Sequence, residues 1–160
     1  MSDVHNGGVM ATFPSVGWFE ALREAMQGHH DKYRKLGRVD VTLVPTIMFP
    51  DGHVERYALV FEGCDCVAVK QIAATAEIVG PRVIIEGDFA AWRDMVQNIR
   101  IYGGADLQHT LNYLTLPDWP LRVASDTTQD QRDVDRFYRY QQSLQEFFNE
   151  AAAVPTDFAA

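Results

Sequence analysis

The sequence predicts a single α+β domain, and three observations lead there. Alternating apolar runs between about Val39 and Glu86 are joined by short connections marked by glycine and proline, which favours an antiparallel meander over βαβ units. Stripes of apolar residues at helical period precede that block and dominate the second half of the chain. At 160 residues, 47% of them hydrophobic and 22% charged, the chain suits one domain with its own core.

The first predicted element is a helix from Val16 to Gln27. Ser15 is placed to cap it, and Trp18, Phe19, Leu22, Ala25 and Met26 form its apolar stripe. Gly28 and the polar stretch after it end or loosen that helix, which can resume through Tyr33 and Leu36 until Gly37. A strand then alternates through Val39, Val41 and Leu43. Pro45 cannot donate to a ladder, so this strand is expected at an edge or bent. Phe49-Pro50-Asp51-Gly52 is a turn signal. The return strand runs from His53 to Glu62, with Tyr57, Leu59 and Phe61 on one face. A third strand covers about Cys66 to Ile72. A fourth covers Ile78 to Glu86, with a bulge or kink expected at Gly80-Pro81.

After Gly87 the period changes to that of a helix. Phe89, Trp92, Val96 and Ile99 share a face, and Asp88 is placed to cap it. Gly103-Gly104 break the chain, and Asp106 can cap a short helix carrying Leu107, Leu111 and Leu114. Leu121 to Ala124 reads as a fifth strand. Thr128 and Gln131 fit a capping box opening a long helix, about Gln129 to Ala152. Val134, Phe137, Gln141, Leu144, Phe148 and Ala151 mark its apolar face, widened by Tyr140 and Phe147. Residues 1–14 read as a flexible leader, 15–153 as the domain, and 154–160, past Pro155, as a flexible tail.

The formal net charge of −8 argues against nonspecific binding to nucleic acid or to anionic lipid headgroups. No apolar run approaches the roughly 18 residues of a membrane-spanning helix. The first residues show no secretory pattern, so the default location is cytoplasmic.

Reactive signatures are sparse. Cys64 and Cys66 are read as structural thiols, since no second cysteine pair completes a zinc site. His29-His30-Asp31 reads as a surface helix end, because adjacent helical residues diverge by about 100° and do not easily share an ion. A nucleophile and base made from one of the cysteines and His109 lacks any supporting motif. Glu62, Glu86 and Asp88 are possible proton acceptors if buried, yet each has a simpler place at a strand end or helix cap. No metal and no cofactor is called for. Arg132, Arg136 and Arg139 are interleaved with Asp130, Asp133 and Asp135, a solvated mixed-charge face.

The remaining signal is apolar. Four amphipathic segments are available to cover one small sheet, more than two helices' worth, which is compatible with elements packed around an apolar cavity.

VIIEGDFAAWRDMVQNI (Val83–Ile99), GGADLQHTLNYL (Gly103–Leu114), PLRVAS (Pro120–Ser125) and the hairpin-rich Val41–Val69 resemble the sterol carrier protein type two domain, over about Trp18 to Phe148. That resemblance implies a five-stranded, mainly antiparallel sheet covered on one face by helices, with an apolar tunnel between them. It implies non-catalytic binding or transfer of a sterol, fatty acid or fatty acyl-CoA. The expected lining residues are Trp18, Leu22, Tyr57, Leu59, Phe61, Ile85, Trp92, Val96, Leu107, Leu111, Leu114, Phe137, Tyr140 and Leu144. Arg100, Tyr102 and Arg122 are the groups expected to orient a carboxylate or hydroxyl. The alternatives are an enzyme or enzyme subunit acting on a hydrophobic carbonyl or steroid-like substrate in the same cavity, and an interaction module or homodimer.

Overall fold

The structure is a computed structural model, and it describes residues 9–124 and 131–159. Strand β1 is Ala11–Phe13, helix α1 Val16–Gln27 and helix α2 His30–Leu36. Strands β2 (Val41–Met48), β3 (Val54–Glu62) and β4 (Asp65–Ile72) follow, then β5 (Arg82–Asp88) and helix α3 (Phe89–Tyr102). The second half adds a short helix α4 (Leu111–Leu114), strand β6 (Leu121–Ala124), helix α5 (Gln131–Asn149) and strand β7 (Thr156–Phe158).

Five strands form one sheet in the order β4-β3-β2-β5-β6. Three of its four pairings are antiparallel, as predicted, but β5 lies beside β2 and runs parallel to it. The expected meander therefore holds only for β2 to β4. Residues 73–81 then carry the chain back past β3 to the free side of β2. Periodicity identifies a strand but says nothing about its neighbour, so this crossing was not legible.

Pro45 stands in the middle strand, not at an edge. The β2–β3 register is made on either side of Val44-Pro45 and lapses between them, while the β2–β5 register is continuous. A prolyl nitrogen with no hydrogen is accommodated where the ladder is already interrupted.

The fourth predicted strand begins at Arg82, because Ile78 to Pro81 belong to the crossing segment. That segment is held by polar bonds. The Glu77 carboxylate accepts the Ala73 and Ala74 N–H groups at 2.7 and 3.0 Å, and the Arg82 guanidinium donates to the carbonyls of Thr75, Ile78 and Gly80.

Helix α1 begins as the sequence indicates: the Ser15 hydroxyl accepts the Trp18 N–H at 3.0 Å. Asp88 occupies the N-cap position of α3, but its side chain makes no capping bond. The capping box proposed at Thr128 lies outside the described residues. The Asp106 carboxylate does cap, but it caps a 3₁₀ turn, Leu107–His109. The Thr110 hydroxyl then starts α4, accepting the Tyr113 N–H. One continuous helix carrying Leu107, Leu111 and Leu114 on a face is thereby ruled out.

The first and last strands of the described residues meet. β1 and β7 pair in parallel, Ala11 with Thr156 and Phe13 with Phe158, where a leader and a tail were expected. The reason is aromatic burial: Phe13 is fully buried against Trp18 at a ring separation of 4.7 Å, and the Trp18 indole N–H donates to Thr156 Oγ1 at 3.0 Å.

Helices cover one face of the sheet. Residues alternating along β2, β3 and β5 (Leu43, Ile47, Tyr57, Leu59, Val83 and Ile85 among them) join α1, α3 and α5 in one buried cluster. Val44, Ala58 and Ile84 point the other way and pack with Ile72 and Ile78 in a smaller cluster beneath the crossing segment.

Candidate functional site: the apolar layer between sheet and helices

Each apolar stripe meets the sheet because its period matches its element. Trp18 and Leu22 lie four apart on α1, and Trp92 and Val96 four apart on α3, so each pair shares a face. Tyr57, Leu59 and Phe61 are two apart on β3 and share a sheet face. Of the predicted lining residues, Trp18, Leu22, Tyr57, Leu59, Phe61, Ile85, Trp92, Val96, Leu111, Leu114, Phe137 and Leu144 are all buried in the main cluster. Tyr140 is partly buried against it. Leu107 is 74% exposed, because the 3₁₀ turn directs it away from the face that Leu111 and Leu114 share.

Aromatic contacts run through the layer. Phe19 lies 5.0 Å from Tyr57 and 6.3 Å from Phe148, Trp92 lies 5.8 Å from Phe148, and Phe61 lies 5.1 Å from Phe147. The Trp92 indole N–H donates to the Thr46 carbonyl at 3.1 Å, anchoring α3 on the central strand while leaving the ring body apolar. Phe19, Phe147 and Phe148 belong to the layer as much as the predicted residues do. Their helical spacing signalled that they were apolar-face residues, and only the packing shows that they meet at the centre.

Where the layer meets the end of α2, a crevice of about 10 Å³ is lined by Met26, Tyr33, Val39, Phe61, Cys64 and Ser143 among others, room for about one water. Two larger clefts among the described residues are open to solvent. One, about 390 Å³, lies over the start of β2 beside Val79 and Pro81; the other, about 430 Å³, lies at the β2–β3 turn beside Phe49 and His53.

The buried polar side chains include two acids, Glu150 and Asp133. Glu150 is buried and accepts the Tyr33 hydroxyl at 2.7 Å, with Lys32 Nζ at 3.0 Å and His29 Nδ1 at 3.0 Å from the same carboxylate. Burial, and then the bond to Glu150, push the Tyr33 phenol far above its usual range. Asp133 is buried at the start of α5, with Arg136 Nη1 at 2.6 Å. The Tyr57 hydroxyl donates to Glu55 at 2.6 Å, and His53 bridges Glu55 at 3.0 Å and Asp51 at 2.6 Å. Burial and the same bond to Glu55 raise the Tyr57 phenol as well. The Glu150 cluster was not anticipated; a tyrosine in a resumed helix was its only sequence signal.

The three groups predicted to orient a ligand are placed otherwise. Arg100 donates to the carbonyls of Ala151 and Ala152, Tyr102 is 70% exposed, and Arg122 is paired with Glu86. Glu62 and Asp88 are exposed, which removes the burial a proton-accepting role required. Cys66 is buried with its thiol on the Ala68 carbonyl, and burial pushes that thiol up to about 12. His109 is held by Asp106 at 2.6 Å. Among the described residues, no group of three or more His, Cys, Asp or Glu side chains is arranged to hold a metal. No helix among them is long and apolar enough to cross a membrane.

This α+β strand order with its helix-covered apolar layer is shared with solved structures. The fold matches the crystal structure of sterol carrier protein 2 with a TM-score of 0.58 at 18% identity, over 86% of this chain and 95% of that one. It matches equally, at 0.58 and 17% identity over 93% of both chains, the solution structure of a conserved hypothetical protein from Thermus thermophilus suggested to be a sterol carrier protein. No family profile and no curated protein matches the sequence. The chain therefore has the sterol carrier protein 2 fold.

Proposed function

We propose that this protein binds and transfers a hydrophobic small molecule, a sterol or a long-chain lipid, taken up between the sheet and the helices. The observation that carries this reading is the match to sterol carrier protein 2 over most of both chains, coinciding with a continuous aromatic layer where such a ligand would lie. The ligand enters around Trp92, Leu111 and α5 and is lined by the buried members of the candidate set. Affinity comes mainly from apolar area removed from water, about 25 cal/mol per Å². The crevice at the end of α2 is far smaller than such a ligand and is not its seat. A carrier needs no catalytic group, and the reading assigns none.

Native mass spectrometry of the purified protein, followed by organic extraction, tests the reading. A co-purifying lipid or steroid of defined stoichiometry is the expected result. Protein that emerges empty and then fails to take up a panel of sterols, fatty alcohols and fatty acids opposes it. Trp92→Phe retains the aromatic body and should bind nearly as wild type, whereas Trp92→Ala should weaken binding. Equal affinity in folded Trp92→Ala protein removes that residue from the site.

A further inference from the structure

The charges around the apolar layer are distributed unevenly. All fourteen lysines and arginines fall within the described residues, since 1–8, 125–130 and 160 contain none. None of the fourteen is buried. Arg23, Arg56, Arg82 and Arg100 donate to main-chain carbonyls of the protein itself. Lys32 and Arg136 reach towards the interior, and both do so on a carboxylate.

Two carboxylates, by contrast, are buried. Asp133 and Glu150 are 4% and 5% exposed and stand at either end of the stretch in which α5 buries Phe137, Leu144, Phe147 and Phe148 against the sheet. Asp133 is four residues before Phe137 and so lies on that same face. At the β3 side, Glu55 approaches the layer through the Tyr57 hydroxyl.

We infer that the apolar layer, on the carrier reading above, accepts molecules with an uncharged hydroxyl or a cationic amine headgroup and discriminates against long-chain carboxylates. An alkyl carboxylate entering here has to leave water, and no buried cation replaces that hydration. It also approaches Asp133 and Glu150, acids of its own sign whose neighbouring cations, Arg136 and Lys32, are already engaged by them. A hydroxyl donates to a carboxylate without either cost, and an ammonium gains a charge-assisted hydrogen bond. The preference arises in this chain from the burial of Asp133 and Glu150, which engage Arg136 and Lys32, while none of the lysines and arginines is itself buried.

The test uses three ligands with one tail: 1-hexadecanol, hexadecylamine and palmitate, each displacing a fluorescent neutral sterol from the 160-residue protein at neutral pH. Palmitate is expected to bind at least roughly ten-fold more weakly than the alcohol, with the amine equal to the alcohol or tighter. Palmitate binding as tightly as the alcohol overturns the inference while leaving the carrier reading intact. If neither the sterol nor any of the three binds, the carrier reading itself fails, and the inference with it. Glu150→Gln and Asp133→Asn, singly, should narrow the gap between palmitate and hexadecanol. An unchanged gap in folded variants shows that these acids are not its source. Should neither variant fold, the wild-type comparison alone decides.

Discussion

The Tyr33 hydroxyl donates to Glu150 Oε2 at 2.7 Å, joining α2 to the 3₁₀ turn that follows α5 across 117 residues of chain. The same carboxylate takes Lys32 and His29, so three side chains from one short stretch converge on a single buried acid. With Glu150 only 5% exposed, its solvation is supplied by these partners and not by water.

Tyr33→Phe removes one donor and leaves a buried carboxylate short of a bond. The expected cost is about 1.5–3 kcal/mol, the range for hydrogen bonds to charged groups. Urea unfolding with an unchanged m-value and a lower midpoint is the signature. A midpoint equal to wild type would mean that Lys32, His29 and water fully replace the phenol.

Gly87 sits where β5 faces the start of β6. A Cβ built there clashes with the Leu121 side chain and lies 2.9 Å from the Pro120 carbonyl oxygen. Gly87→Ala should therefore destabilise by about 1–3 kcal/mol. Adding Leu121→Ala should not restore stability, because the backbone carbonyl stays in place. Thermal melts of the single and double variants distinguish this from a side-chain clash alone, which the second change would relieve.

The two thiols should differ in reactivity. Cys66 is fully buried and its thiol is pushed up to about 12, whereas Cys64 is half-buried. Because the thiolate is the reacting form, a disulfide reagent at pH 8 should modify Cys64 first and Cys66 only on unfolding. Two equally fast phases in the native protein would contradict the burial of Cys66.

His53 is placed between two carboxylates, and a neutral ring can donate to only one of them. The bonds to Asp51 and then Glu55 raise its titration above the usual histidine value. A raised folded-state pKa means a contribution to stability that is complete below the unfolded value near 6.5 and fades as pH rises through the folded one. Asp51 is shifted down, chiefly by the His53 backbone N–H and then its ring; its contribution is present above the unfolded carboxyl value and is lost as pH falls through the folded value. Imidazole NMR should show His53 titrating above 6.5, and Glu55→Gln should bring it closer to 6.5. A wild-type midpoint at or below 6.5 would sink the bridging geometry.

Much of the fold was legible along the chain because it depends on local chemistry. Ser15 caps α1, Gly103 ends α3 with a positive φ of 83°, and the Pro50–Gly52 turn closes the β2–β3 hairpin. The buried members of the candidate site were legible for the same reason, since a 3.6-residue or two-residue period states which side chains share a face. Leu107 was misplaced because one 3₁₀ turn changes the phase of everything before it.

Local chemistry along the chain thus settles the type and apolar face of nearly every element, along with the acidic balance. The neighbours of those elements were decided only in three dimensions. β5 lies parallel to β2, Pro45 stands in the central strand, and β1 pairs with β7. The siting of the charges was decided there too, with Glu150 and Asp133 buried and no lysine or arginine buried. The division has a physical cause. Capping, turn geometry and periodicity act over a few residues, whereas strand order and the burial of a charge depend on partners brought together from distant parts of the chain.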